Sequence, residues 1–228
     1  TKLGENRDRE IYALAIDGPA GSGKSTIAKK LASKLGILFL STGSLYRAMG
    51  LKCKNLGLDP KDEISAQKIL DCKVDVKYIG GSQNVFLDGE NVTNQINNED
   101  IGAYASLISQ HKCIREKCVE IQRQIASSQS MIVDGRDIGS VVLPMAKYKF
   151  YLDADVHERA KRRYKDLTQK GINTTLDEVE AELKQRDYND IHRKLSPLVL
   201  CNDAIRVDST NLSIDEVVDE FMKIINKK

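Results

Sequence analysis

The residues Gly18-Pro19-Ala20-Gly21-Ser22-Gly23-Lys24-Ser25-Thr26 contain the pattern G-x-x-x-x-G-K-[ST]. Glycines at these positions let backbone N–H groups close around phosphate oxygens, and the N-terminus of a following helix adds partial positive charge. Lys24 is then placed for the outer phosphates and the Ser25 hydroxyl for Mg²⁺. Gly18 through Thr26 are therefore the candidate ATP-binding stretch. The plainer reading, a Gly-rich strand-to-helix turn with an incidental Lys-Ser, lacks a reason for the spacing.

Triphosphate sites serve switches, motors and kinases, so other residues must choose among them. The guanine-reading N-K-x-D pattern of small GTPases is absent. Phosphoryl transfer between two polyanions needs fixed cations on the donor and on the acceptor, and arginines stand where they can supply them. Arg47 closes the run Ser41-Thr42-Gly43-Ser44-Leu45-Tyr46-Arg47, and Arg136 lies in Asp134-Gly135-Arg136-Asp137, each directly after an apolar run. Asp134 sits where a strand-terminal acid would orient Mg²⁺ behind Ser25. Arg186, Asp190 and Arg193 are spaced i, i+4, i+7, which predicts one helical face, and Arg159, Arg162 and Arg163 share a face in the same way. Each group also has an ordinary reading: solvated charge for 159–163, surface ion pairing for 186–193, and an internal salt bridge for Asp134 and Arg136.

The elements that must position these residues are legible as short apolar runs: Ile11 to Ile16, Ile37 to Leu40, Met131 to Val133, Phe150 to Leu152, and Ile205 to Val207. Continuous rather than alternating apolarity predicts strands covered on both faces. Between them, helical spacing recurs at Ile27, Leu31 and Leu35, at Leu176, Val179 and Leu183, and at Ile214, Val217, Val218 and Phe221. Strands separated by helices predict a parallel sheet in an α/β fold. Thr175 with Glu178 and Ser213 with Glu216 fit capping boxes that start two of the helices. Residues 74–96 break the rhythm: β-branched and aromatic residues are bounded by Gly80-Gly81 and Asp88-Gly89, which predicts a small antiparallel sheet. One core with an outgrowth is expected, without a linker between independent domains.

The chain has 228 residues, with 35 basic against 33 acidic side chains, 41% hydrophobic and 30% charged. A chain of this length buries enough surface to need no disulfide or metal staple. Its formal charge of +2 creates no broad basic field, so anion binding must be local and a nucleic-acid partner is not implied. Five cysteines without a C-x-x-C pair read as reduced thiols. The opening TKLGENRDRE has no apolar signal-type segment, and no later run approaches a membrane span. A cytoplasmic chain that uses small-molecule nucleotides, with no membrane contact, is expected.

Taken together, GPAGSGKST, STGSLYR, DGRDIGSVV and RDYNDIHR followed by SPL resemble the bacterial-type cytidylate kinases, a group of nucleoside monophosphate kinases. The likeness runs from about residue 11 to the C-terminus. It implies a P-loop, three-layer fold with a five-stranded parallel sheet, an antiparallel β insert for the monophosphate and a helical lid, in a single domain acting as a monomer. The core would be residues 10–62 and 104–228, the insert 63–103, and the lid about 155–175. Carried over by position, the resemblance implies that Arg47, Arg136 and Arg193 hold the acceptor phosphate, with Thr42 and Tyr46 beside it. Ser106, Arg115 and Asp137 would read the cytosine edge, and Arg186 with Asp190 would contact the sugar. Arg159, Arg162 and Arg163 would belong to the lid over ATP, with Arg162 joining Lys24, Asp134 and Arg136 in catalysis. The implied reaction is transfer from ATP·Mg²⁺ to CMP and dCMP. Two other readings keep the same triphosphate site: a kinase for a hydroxyl acceptor, in which Asp134 becomes a general base, and a nucleotide-dependent switch with slow hydrolysis.

Overall fold

The computed structural model describes residues 11–227; the polar opening, residues 1–10, read as lacking a signal segment, lies outside the described residues. Strands β1 (Ala13–Asp17), β2 (Leu38–Ser41), β6 (Met131–Gly135), β7 (Tyr148–Asp153) and β8 (Ile205–Asp208) form one sheet in the order β2-β6-β1-β7-β8. Every pairing in it is parallel. The run that starts at Ile11 enters the sheet only at Ala13, and the other four expected runs become its remaining strands.

The unbroken apolarity of these strands has a direct cause. On β1, Leu14 and Ile16 belong to the core shared with α1 (Lys24–Leu35) and α8 (Ile214–Asn226), whereas Ala15 between them joins Leu40, Met131, Val133 and Val119 on the opposite face. Period-two alternation is hidden because both faces are dry. Phe150 stacks on Phe221 at 4.1 Å between ring centroids, both essentially without solvent contact; burying each ring is worth about 1.5–3 kcal/mol. Both predicted capping boxes are present, Thr175 with Glu178 at the start of α7 (Leu176–His192) and Ser213 with Glu216 at the start of α8.

The antiparallel sheet comprises β3 (Val74–Ile79), β4 (Ser82–Leu87) and β5 (Glu90–Asn91). Asp88 and Gly89, at φ 50° and 87°, take the two left-handed positions that a tight hairpin of this hand requires. Helices α2 (Gly43–Asn55), α3 (Glu63–Lys68), α4 (Glu99–Ile108) and α5 (Lys112–Ser128) surround it. The expected boundary between 103 and 104 falls inside α4, and one hydrophobic cluster runs across it from Met49 through Val85 and Ile101 to Ile114. Gly50 lets α2 and α4 touch, since a Cβ there would lie 2.9 Å from the backbone nitrogen of Ala105. The segment expected as a lid, about 155–175, is helix α6 (Val156–Gln169) and the connection 170–175, which leads into α7.

Parallel pairing places the C-terminal ends of β1, β2, β6 and β7 along one edge, where ligands bind in open α/β sheets. That edge carries Gly18, Thr42, Arg136 and Ala154 as the first residues or loops beyond the strands. Among the described residues no helix is long and apolar enough to cross a membrane.

Candidate active site

The donor loop follows β1 directly. Gly18 passes so close to β7 that a Cβ would sit 2.0 Å from the Leu152 carbonyl oxygen, and Gly23 caps α1 with φ 86°. Any other residue at Gly18 would push the loop off the sheet. Lys24 is buried, and its Nζ donates to the Pro19 carbonyl at 2.6 Å and the Ser22 hydroxyl at 3.3 Å. Burial, reinforced by Arg136, holds its ammonium well below the ordinary lysine range. The Ser25 hydroxyl donates to Asp134 Oδ2 at 2.5 Å. Burial pushes the Asp134 carboxyl up, against the Ser25 bond and the Lys24 charge. This hydroxyl and carboxylate are hard oxygen donors side by side, a set that fits Mg²⁺.

Beside this loop lies a cavity of about 110 Å³ walled by α2, α4, α5, α7 and the turn after β6. Thr42, Tyr46, Arg47, Ser106, Arg115, Arg136, Asp137, Arg186, Asp190 and Arg193, named from sequence as the acceptor set, all line it. Five arginines face two aspartates there, a concentrated positive field in a nearly neutral chain. By contrast, a larger hollow of about 1100 Å³ between α1, β2 and β4 has Lys29 as its one charged lining residue among the described residues.

Bonds within the cavity sort the arginines. Arg115 donates to Asp137 Oδ2 at 2.5 Å and lies over the Tyr46 ring, so guanidinium and carboxylate are held as a rigid pair. Arg136 donates to Asp190 Oδ2 at 2.7 Å, and Arg193 approaches Asp190 Oδ1 at 3.7 Å. Burial disfavours the charge on Arg136, yet Asp190 outweighs it and holds the group above its usual value. Arg186 is compensated less: burial, with Arg136 nearby, outweighs Asp190 and Glu182 and brings it down to about 10. Burial also lowers Arg47, helped by Arg163, while Arg47 donates to the Ile96 and Asn98 carbonyls. An incoming dianion would relieve this crowding of like charge.

Three expectations need correction. Arg193 does not continue the helical face of Arg186 and Asp190, because α7 ends at His192 and Arg193 is already extended at ψ 142°. It reaches the cavity from the turn, where its Nε donates to the Ser196 carbonyl. The three α6 arginines do not converge on the triphosphate loop as a lid set. Arg159 is buried against the loop backbone, Arg162 donates to the Ser209 and Thr210 carbonyls, and Arg163 pairs with Glu99 at the start of α4. Lastly, no residue of β3, β4 or β5 lines the acceptor cavity among the described residues. The insert acts from behind instead: the Gln83 side chain grips the Ser41 N–H and the Ser44 hydroxyl at the start of α2.

Sequence reasoning missed Gly43, Ala105, Ser109 and Gly135, which also line the cavity. It missed Asp17 as well. Both of its carboxylate oxygens accept backbone N–H groups, from Ile138 and Gly139 at 2.8 Å each, fixing the turn that carries Arg136 and Asp137. An acid ending a dry strand was the available signal. Sequence reasoning missed Asp187 too, which lies between Arg186 and Asp190 in the chain and carried no pattern of its own.

A sequence profile of the family described as Cytidylate kinase matches residues 14–227. A cytidylate kinase from Caldicellulosiruptor saccharolyticus is 46% identical over 215 residues, covering 94% of this chain and 95% of that protein. One from Lactobacillus johnsonii is 44% identical over 219 residues, covering 96% and 95%. Among solved structures, a gluconokinase from Sinorhizobium meliloti superposes with a TM-score of 0.50 at 13% identity, covering 96% of this chain and 94% of that one. That last likeness concerns the fold alone.

Proposed function

The chain belongs to the cytidylate kinase family, and from that premise we propose that it moves the γ-phosphoryl group of ATP onto the 5′-phosphate of CMP, giving ADP and CDP, with dCMP as a second acceptor. The observation that carries the residue roles is the arginine-lined cavity beside Lys24, in which a rigid Arg115–Asp137 pair stands at one wall.

Cytosine offers an amino donor next to carbonyl and ring-nitrogen acceptors. Asp137 accepts from the amino group and Arg115 donates to the acceptors, with Ser106 beside them. Uracil would point an oxygen at the carboxylate and bind worse. Arg47, Arg136 and Arg193 hold the phosphate, and Arg186 with Asp190 meets the sugar. A phosphate held by Arg47 would draw its guanidinium from the Ile96 and Asn98 carbonyls, exchanging two neutral acceptors for a charged one.

The acceptor phosphate has a second pKa of about 6 and is already ionised at neutral pH, so no general base is needed. The protein's work is alignment and charge cancellation. Lys24 gives up the Pro19 carbonyl for the β- and γ-phosphates, whose charge restores the preference for the ammonium form. Arg136 sits between the two sites, with Asp190 fixing its orientation. Ser25 would hold Mg²⁺, with Asp134 orienting it from behind, and the ion when bound would neutralise charge on the triphosphate oxygens. The insert supports this arrangement through Gln83 and the shared cluster with α2 and α4. Five free cysteines fit a reducing, cytoplasmic setting, and the near-neutral charge fits small-molecule nucleotides rather than nucleic acid as partners.

The test is ADP release from ATP with CMP, dCMP, UMP, AMP or GMP as acceptor. CMP and dCMP should lead, with UMP well behind and the purines near background. ADP release that ignores the acceptor would contradict the proposal.

A further inference from the structure

The tip of the donor loop is built into the hairpin of α6 and α7. The Ala20 side chain is 3% exposed and belongs to the small apolar cluster of Ala160, Leu167, Val179 and Leu183. A Cβ at neighbouring Gly21 would meet Leu183 at 3.5 Å. Both backbone groups of Ala20 are taken by one ion pair: its N–H donates to Asp187 Oδ1 at 3.3 Å, and its carbonyl accepts from Arg159 Nη1 at 2.8 Å. Arg159 Nη2 closes the ring on Asp187 Oδ2 at 2.6 Å, and its Nε donates to the Ala154 carbonyl beyond β7. All three nitrogens of the guanidinium are thus engaged with protein, at 6% side-chain exposure, so the group cannot swing toward a nucleotide without breaking the ring.

We infer that Asp187, with Arg159, is a positioning residue for the ATP site: the pair holds the two peptide units that flank the Ala20 Cα, Pro19–Ala20 at its N–H and Ala20–Gly21 at its C=O, and so sets the curvature of the phosphate loop from the helix that carries the acceptor residues Arg186 and Asp190. A loop that cradles phosphate with backbone N–H groups is useful only when those groups point inward, and fixing both units about one Cα restricts its φ and ψ. The three successive roles on α7 are therefore split. Arg186 and Asp190 serve the acceptor, and Asp187, turned the other way, serves the donor. The inference deepens the proposed function and rests on it for the identity of the acceptor.

Asp187→Asn keeps the size and one acceptor oxygen but turns an amide toward Arg159, replacing a charge-assisted bond with a clash of donors. ATP affinity is read twice: by direct titration of ATP with no acceptor present, and as KM in the coupled assay. The expected result is an increase of about tenfold in the Kd and KM for ATP, with KM for CMP changed less than about twofold. Arg159→Lys, which keeps the charge and loses the fork, should shift ATP in the same direction and keeps the test decisive if the Asn variant does not fold. Equal increases for both nucleotides, or a fall in kcat with both KM values kept, would overturn the inference, since those mark an acceptor role or a loss of folded enzyme. The titration needs no acceptor, so it stands even if CMP proves not to be the substrate, whereas failure of the wild type to phosphorylate CMP would strike only the proposed function.

Discussion

The donor and acceptor halves of this site are built by different means. The donor half is one contiguous loop whose chemistry resides in backbone N–H groups and a single lysine. The acceptor half is assembled from α2, α4, α5, α7 and the turn after β6, and its chemistry resides in side chains that meet only in the folded chain. A backbone cradle recognises phosphate on anything that carries it. Side chains brought from five places can recognise one base, and they depend on every element that aims them. Specificity should therefore be the more fragile property, and phosphate binding the more robust.

Substitutions can break that contrast. The largest effect is expected from Lys24→Ala, which should cut kcat by roughly 10³-fold by removing charge from the transferring group, with circular dichroism and thermal unfolding little changed. Next, Arg193→Ala should lower kcat/KM for CMP by about 10²-fold, the cost of a buried charged contact to phosphate, while the Kd for ATP stays within about twofold. Unchanged CMP kinetics would remove Arg193 from the acceptor set. Asp137→Asn should shrink the preference for CMP over UMP on the order of tenfold, because an amide can face either base edge. Gln83→Leu, outside the acceptor cavity, should raise KM for CMP by about threefold through loosened Ser41 and Ser44, with a stability loss near 1 kcal/mol.

Asp17 ties the two halves together and offers a readout by pH. Burial pushes its carboxyl up to about 6 from 3.8, against the two backbone N–H bonds that favour the anion. Between those values the folded chain binds more protons than the unfolded one. Its contribution to stability therefore falls as pH rises from about 4 to 6, by at most ~1.4 kcal/mol per pH unit, and is level above. Unfolding free energies measured across that window for wild type and Asp17→Ala should differ in slope; identical slopes would exclude this carboxyl.

How much was legible follows from the same contrast. The loop from Gly18 to Ser25, the five strands of the main sheet, both capping boxes and the Asp88-Gly89 turn are local patterns, and local patterns can be read from order alone. Arg193 was assigned to a helical face because i+7 spacing cannot tell where a helix stops; α7 stops at His192, with Arg193 already extended. The α6 arginines were read as a set by their spacing, although Arg159, Arg162 and Arg163 find three unrelated partners. Gln83 and Asp187 carried no pattern at all, since each works by reaching another element. The acceptor residues came from the likeness of whole motifs rather than from spacing, which is what a site made by convergence permits.

The central claim is that the arginines converge on a phosphate next to Lys24, so that the acceptor is a monophosphate and not a hydroxyl. Parallel measurement of ATP-dependent ADP release with CMP and with cytidine tests it most directly. Turnover with CMP and none above background with cytidine is the predicted result; equal turnover of the two would contradict the account.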